Sequence, residues 1–247
     1  MAVVEKTVDI IGDAAFCVML LARSIPEGMP VDIYDDVLVK TRPHAMRNMS
    51  GLESVNFPNL TTLGKYSFTG CRDLKRAYLP LASTVAERAF FECPALVEVY
   101  APVAKSLGEF AINSSSIIRV ELPEVTTTTA SALCFYGCSS LEEVILPKIT
   151  YIGNSTFYAC ASLTQLDLPS IKSIGANILN NATSIEVVNL GPGIQSIHSN
   201  GFAGTPDGMI INLPVAEGAI SGAPWGASNA VINYEVPYAG TVPIPES

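Results

Sequence analysis

Between Phe57 and Pro214 the chain returns every 21 to 24 residues to an apolar residue followed by proline or its substitute. The pairs are Phe57-Pro58, Leu79-Pro80, Ala101-Pro102, Leu122-Pro123, Leu146-Pro147, Leu168-Pro169, Leu190-Gly191 and Leu213-Pro214. Their second residues are spaced 22, 22, 21, 24, 22, 22 and 23 apart. A period this tight makes each repeat one supersecondary unit that buries its apolar face only by stacking on its neighbours. The 247 residues therefore read as one elongated solenoid and not as one or two globular domains. A hydrophobic content of 49% against 15% charge supplies a continuous core.

The repeat that begins at Ile152 shows the pattern most clearly. Leu166 and Leu168 alternate with Asp167, which is the period of a short strand with one buried face. Pro169 cannot donate to a ladder and stops the strand. Ile152-Gly153 marks a return turn, where glycine relaxes the steric limit on φ. Phe157 and Cys160 follow that glycine by four and seven residues. An i, i+3 pair predicts a short helical or 3₁₀ turn with both side chains on one face. Phe68 and Cys71, Phe90 and Cys93, and Phe135 and Cys138 fill the same slots. Two repeats are worn: Leu107-Gly108 leads to Ala111 and Ser114, and Ile174-Gly175 leads to Leu179 and Ala182. The longest insertion is Thr126 to Thr129.

This combination, a strand closed by Leu-Pro, then Ile-Gly, then Phe-x-x-Cys-x-Ser-Leu, resembles the BspA-like bacterial leucine-rich repeats of surface-adhesin type. The resemblance covers roughly Met46 to Pro214. It implies an α/β solenoid, a right-handed leucine-rich repeat with short parallel strands along one side. The expected division is an N-terminal capping region over 1–45, about eight repeats over 46–214, and a C-terminal cap and tail over 215–247. At about 4.8 Å per coil the repeats build a rod roughly 35–40 Å long. The segment from Gly222 to Tyr234 resembles a closing segment found after such repeats in gut-bacterial and prophage-encoded proteins.

The apolar stretch Ala14 to Ala22 is too short to span a bilayer, which takes about 20 residues. It is flanked by Glu5, Asp9 and Asp13 with only Lys6, so it lacks the basic start of a signal peptide. It reads as an amphipathic helix capping the solenoid through Val8, Ile11, Phe16, Met19 and Leu20. Trp225, with Ile232 and Tyr234, would close the opposite end, where strand edges and apolar residues are otherwise exposed.

Net charge is −9, and no Lys/Arg cluster exceeds two residues, so nucleic acid is not an expected partner and neither is an anionic membrane. No membrane insertion is expected. Four of the six cysteines recur with the repeat, as buried free thiols acting as small hydrophobes. There is no CxxC pair, and His44 and His198 adjoin no cysteine, so no metal site is expected. No P-loop, GxGxxG, GxSxG or HExxH occurs. The chain reads as a non-enzyme without a cofactor.

What remains is surface. The residue between the inward slots of each strand must face out; this file reads Asn56, Tyr78, Tyr100, Glu121, Ile145, Asp167, Asn189 and Asn212. Two residues earlier run Ser54, Arg76, Glu98, Arg119, Glu143, Gln165, Val187 and Ile210. The candidate binding strip is Arg76, Tyr78, Glu98, Tyr100, Arg119, Glu121 and Ile145, because Tyr and Arg combine contact area with polar tips. The plainer reading is that the tyrosines stabilise the sheet by cross-strand packing. The leading expectation is a cell-surface or secreted adhesin-type module holding a protein or glycan. The alternatives are a prophage- or virion-associated structural or receptor-binding protein, and an intracellular scaffold.

Overall fold

The computed structural model describes residues 2–5, 31–36, 38–114 and 116–245. One side of the solenoid, here the front, is made of β1 (Ala2–Glu5), β2 (Val31–Tyr34), β3 (Leu52–Asn56), β4 (Arg76–Tyr78), β6 (Glu98–Tyr100), β8 (Arg119–Glu121), β10 (Glu143–Ile145), β12 (Gln165–Leu168), β14 (Val187–Leu190), β16 (Ile210–Asn212) and β17 (Val231–Asn233). The rear carries two-residue strands: β5 (Thr84–Val85), β7 (Ser106–Leu107), β9 (Thr127–Thr128), β11 (Tyr151–Ile152), β13 (Ser173–Ile174) and β15 (Ser196–Ile197). All pairing between these strands is parallel. The rear forms one unbroken six-stranded sheet. The front is divided into sheets of five, two and four strands, with seams between β6 and β8 and between β10 and β12. The first 45 residues lie outside the expected repeat span, yet β1 and β2 extend the front sheet by parallel pairing, Ile33 with Val55.

The interior is filed. Phe57, Leu79, Ala101, Leu122, Leu146, Leu168, Leu190 and Leu213 line up beneath the front strands, all buried. Phe68 and Phe90 stack with centroids 5.2 Å apart, and Phe135 and Phe157 with centroids 5.4 Å apart. The worn repeat fills this ring slot with Ile112, which bridges Phe90, and not with the expected Ala111. Ile112 stands four residues after Gly108, as Phe157 does after Gly153. The thiols of Cys71, Cys93, Cys138 and Cys160 sit three residues on and donate to the carbonyl of the ring-slot residue in the preceding coil. Cys93 Sγ reaches Phe68 O at 3.0 Å and Cys160 Sγ reaches Phe135 O at 3.3 Å. All five described cysteines are free and buried. Burial pushes the Cys71 and Cys138 thiols up to about 12, which keeps them protonated and able to donate.

Two expectations are corrected. No helix occurs among the described residues, so the solenoid is β throughout and not α/β. In most coils the return turn contains two left-handed residues, such as Ser155 (φ 54°) and Ala159 (φ 57°), which break any helical run. The same position carries Tyr66, Arg88 and Phe110 in other coils. There the Arg88 guanidinium lies between two rings, 5.7 Å from Tyr66 and 5.1 Å from Phe110, an attraction that offsets part of the backbone strain. The capping helix expected over Ala14 to Ala22 lies outside the described residues, as do its contacts Val8, Ile11, Phe16, Met19 and Leu20.

The second correction concerns the glycine of the return turn. Gly64, Gly108, Gly153 and Gly175 are not among the residues with positive φ. They are required because coils pass too closely for a side chain: a methyl on Gly64 would lie 2.5 Å from the Arg42 carbonyl carbon. The threonine insertion is built into the rear sheet as β9, where Thr128 Oγ1 accepts the Gly153 N–H at 2.7 Å. At the far end Trp225 is fully buried, its ring 6.4 Å from Phe202 in an edge contact and its Nε1 donating to Ser221 O. Ile232 and Tyr234 pack against the core beside it.

Candidate binding face

Strand register brings the two outward files together as the sequence periodicity requires. Arg76 pairs Glu98 and Tyr78 pairs Tyr100 across β4 and β6. Arg119 pairs Glu143 and Glu121 pairs Ile145 across β8 and β10. The Tyr78 and Tyr100 rings are stacked face to face, 4.9 Å apart and 2° from parallel, and 43% and 42% exposed. Arg76 Nε lies 3.6 Å from Glu98 Oε2. Arg119 holds two carboxylates, Glu121 at 2.8 Å and Glu143 at 2.6 Å. The Glu143 hydrogen bond raises the Arg119 pKa above its ordinary value, so this cation is fixed. Ile145 is half-buried beside the group.

A groove of about 530 Å³ opens here, lined by Arg76, Glu98 and Tyr100 on one side and by Arg119, Glu121 and Pro123 on the other. It lies across the seam between β6 and β8, where the front ladder is not hydrogen-bonded. The 21-residue step from Pro102 to Pro123, the shortest in the chain, falls between the same two strands. β6 and β8 lie adjacent without a ladder between them, and side chains line the space across the seam. Tyr78 and Ile145 belong to the strip but do not line the groove.

Sequence reasoning missed the apolar rim. Leu81, Val97, Val103 and Ile118 are exposed, Ile118 to 55%, alongside Tyr78 and Tyr100. The signal was present: Val97 and Ile118 stand three residues before the outward file, where other coils carry Lys75, Glu142, Thr164 and Glu186. Their concentration on neighbouring coils is the kind of patch that marks an interaction surface.

The C-terminal half of the outward file is not free. Asp167 and Asn189, expected to face solvent, are buried. The tail after β17 crosses the front there, and Asp167 Oδ2 accepts both the Thr241 N–H at 2.7 Å and its hydroxyl at 2.8 Å. Gln165 and Asn189 also donate to this carboxylate, and a ladder of amides continues through Asn212 to Asn233. Burial pushes the Asp167 carboxyl up, but these hydrogen bonds from Asn189, Gln165 and Thr241 outweigh it and leave the pKa below its ordinary value. Tyr238, nearby, is raised by burial and by the Asp167 charge.

Because the folded pKa is depressed, the carboxylate's contribution is complete above the unfolded value near 3.9 and is lost as pH falls through the folded one. The tail is therefore expected to become protease-sensitive below about pH 4, and in Asp167→Ala at neutral pH as well. Removing the acceptor leaves buried donors unpaired, at about 1–3 kcal/mol. Identical cleavage patterns for Asp167→Ala and the parent would remove the strap from the account.

Among the described residues no group of three or more His, Cys, Asp or Glu is placed to hold a metal. No described helix is long and apolar enough to cross a membrane. The model of the BspA type leucine rich repeat region matches in six copies over residues 2–105, 31–133 and 105–217. The chain belongs to this family. The BspA-type match begins well before Met46, in keeping with the extra N-terminal strands. No curated protein matches the sequence significantly.

Three solved structures are similar to this BspA-type chain. A leucine-rich cell surface protein from Faecalibacterium prausnitzii A2-165 is 17% identical, with 91% of this chain and 82% of that one covered and a TM-score of 0.42. The pneumococcal vaccine antigen PcpA is 14% identical, covering 84% and 79%, with a TM-score of 0.44. A leucine-rich repeat protein from Bacteroides ovatus is 12% identical, covering 79% and 64%, with a TM-score of 0.34.

Proposed function

We propose that this chain is a non-catalytic binding module of bacterial surface-adhesin type that holds a host protein or glycan on the N-terminal half of its front face. The observation that carries this reading is coincidence in space. The stacked tyrosines, the seam groove and the exposed Leu81, Val97, Val103 and Ile118 fall on the coils from β4 to β8. Cross-strand packing accounts for a tyrosine pair, but it does not account for four aliphatic side chains left in water on the same coils. Family membership supports a binding role, since repeats of this kind present extended surfaces to partners. The adhesin resemblance supports a location at the cell surface or outside the cell.

The test is an array of immobilised host-matrix proteins and glycans probed with the parent and with the double variant Tyr78→Ala/Tyr100→Ala. Both side chains are more than two-fifths exposed, so the variant is expected to fold. Truncating a Tyr anchor typically costs about 2 kcal/mol, which is roughly thirtyfold in affinity. Equal signal from the two proteins would exclude this face.

A further inference from the structure

We infer that the groove between β6 and β8 takes a neutral pyranose glycan, an inference that rests on the binding-face reading above and narrows its ligand. The aromatic stack ends at Tyr100. Tyr78 covers one face of Tyr100, and the two rings repeat with the spacing of the coils. The next coil offers Glu121 at that place instead of a ring. Tyr100 borders the groove while Tyr78 does not, so the free face of Tyr100 forms a wall of the groove. A π-face is electron-rich, and the C–H face of a sugar ring is its flat, weakly positive complement.

The charges of the groove are already paired. Every charged side chain lining the groove already faces an opposite one: Arg76 with Glu98, and Arg119 with Glu121 and with Glu143 behind it. An anionic ligand meets two lining carboxylates, Glu98 and Glu121, and a cationic one meets two guanidiniums; either must break an existing pair. Hydroxyl groups need not, because each donates and accepts at once. Arg forks keep spare N–H donors and the carboxylates keep spare lone pairs, so vicinal hydroxyls can be held between them with the ion pairs intact. Val97, Pro102 and Pro123 supply apolar walls.

The experiment pairs an array of neutral, sialylated and sulfated glycans, with matrix proteins before and after enzymatic deglycosylation, with calorimetry on the best neutral oligosaccharide. Neutral glycans are expected to bind. Tyr100→Ala should weaken them by about tenfold or more, and Tyr100→Phe by no more than about threefold, since the stacking ring is retained. Affinity should change less than about twofold between low and high salt, because screening acts only on charged partners. Binding confined to charged glycans, or absence of neutral-glycan binding at millimolar concentration, overturns the inference. Capture of a deglycosylated protein that is lost in Tyr100→Ala also overturns it, yet leaves the face itself as the binding surface. Binding indifferent to both Tyr78 and Tyr100 removes the face as well.

Discussion

Phe90→Ala is expected to destabilise the protein by about 3–5 kcal/mol. The ring is fully buried and lies nearly parallel to Phe68, 6° off and 5.2 Å away. The site cannot collapse around an alanine, because the coil backbones on both sides are tied. Phe68 N–H donates to Ala89 O at 2.9 Å, and Phe90 N–H donates to Ala111 O at 3.0 Å. The cavity left behind is therefore retained, the condition under which large-to-small losses reach the top of their range. In a stack of nearest neighbours the loss is shared by the adjoining coils, so it appears in the stability of the whole rod. Urea unfolding should show a lower midpoint at an unchanged slope. Phe157→Leu should lose less, because Leu179 fills the same slot one coil on and is also fully buried. A parent-like midpoint for Phe90→Ala would end the filed-core account.

Gly153→Ala and Ala159→Gly, within one coil, are expected to shift stability in opposite directions. A methyl on Gly153 would lie 2.8 Å from the Ala130 carbonyl oxygen and 3.0 Å from Ala132 Cβ, and would run into the Thr129 carbonyl oxygen. These obstacles are mostly backbone of the previous coil and cannot swing away, so the overpacking penalty is about 1–3 kcal/mol. Ala159 instead holds φ at 57°. Its Cβ suffers the left-handed clash of about 1–2 kcal/mol, and glycine removes that clash at an entropic penalty of about 0.5–1 kcal/mol. A small net gain should remain. The same urea titration reads both variants, and destabilisation by Ala159→Gly would contradict the turn geometry.

The difference between these two sites shows what the sequence could and could not reveal. Period and alternation were enough to place Leu166 and Leu168 inward and Tyr78 beside Tyr100, because both follow from stacking identical units. Glycine at the return turn was equally visible, but its reason was not. Close approach and positive φ select the same residue, and only coordinates tell them apart. The turn itself misled, since an i, i+3 pair fits a helical turn as well as a chain kinked at Ser155 and Ala159. At the worn repeat the ring slot needs volume and not aromaticity, and Ile112 supplies it. For the candidate face, register was legible while accessibility was not. Nothing in the repeat indicates that Thr241, 74 residues away, bonds to Asp167, because the tail lies outside the period. The two seams were not legible either: the steps across them are 21 and 22, while the step of 24 is fully laddered.

Those seams have a mechanical consequence. With the rear strands zipped from β5 to β15 and the front ladder interrupted at two places, the rod has a spine on one side and two hinges on the other. Bending that closes the front must compress packed side chains, whereas bending that opens it meets no inter-strand hydrogen bond at either hinge. The soft direction of the molecule is thus the one that widens the cleft beside Tyr100, and tension along the rod would be felt there first.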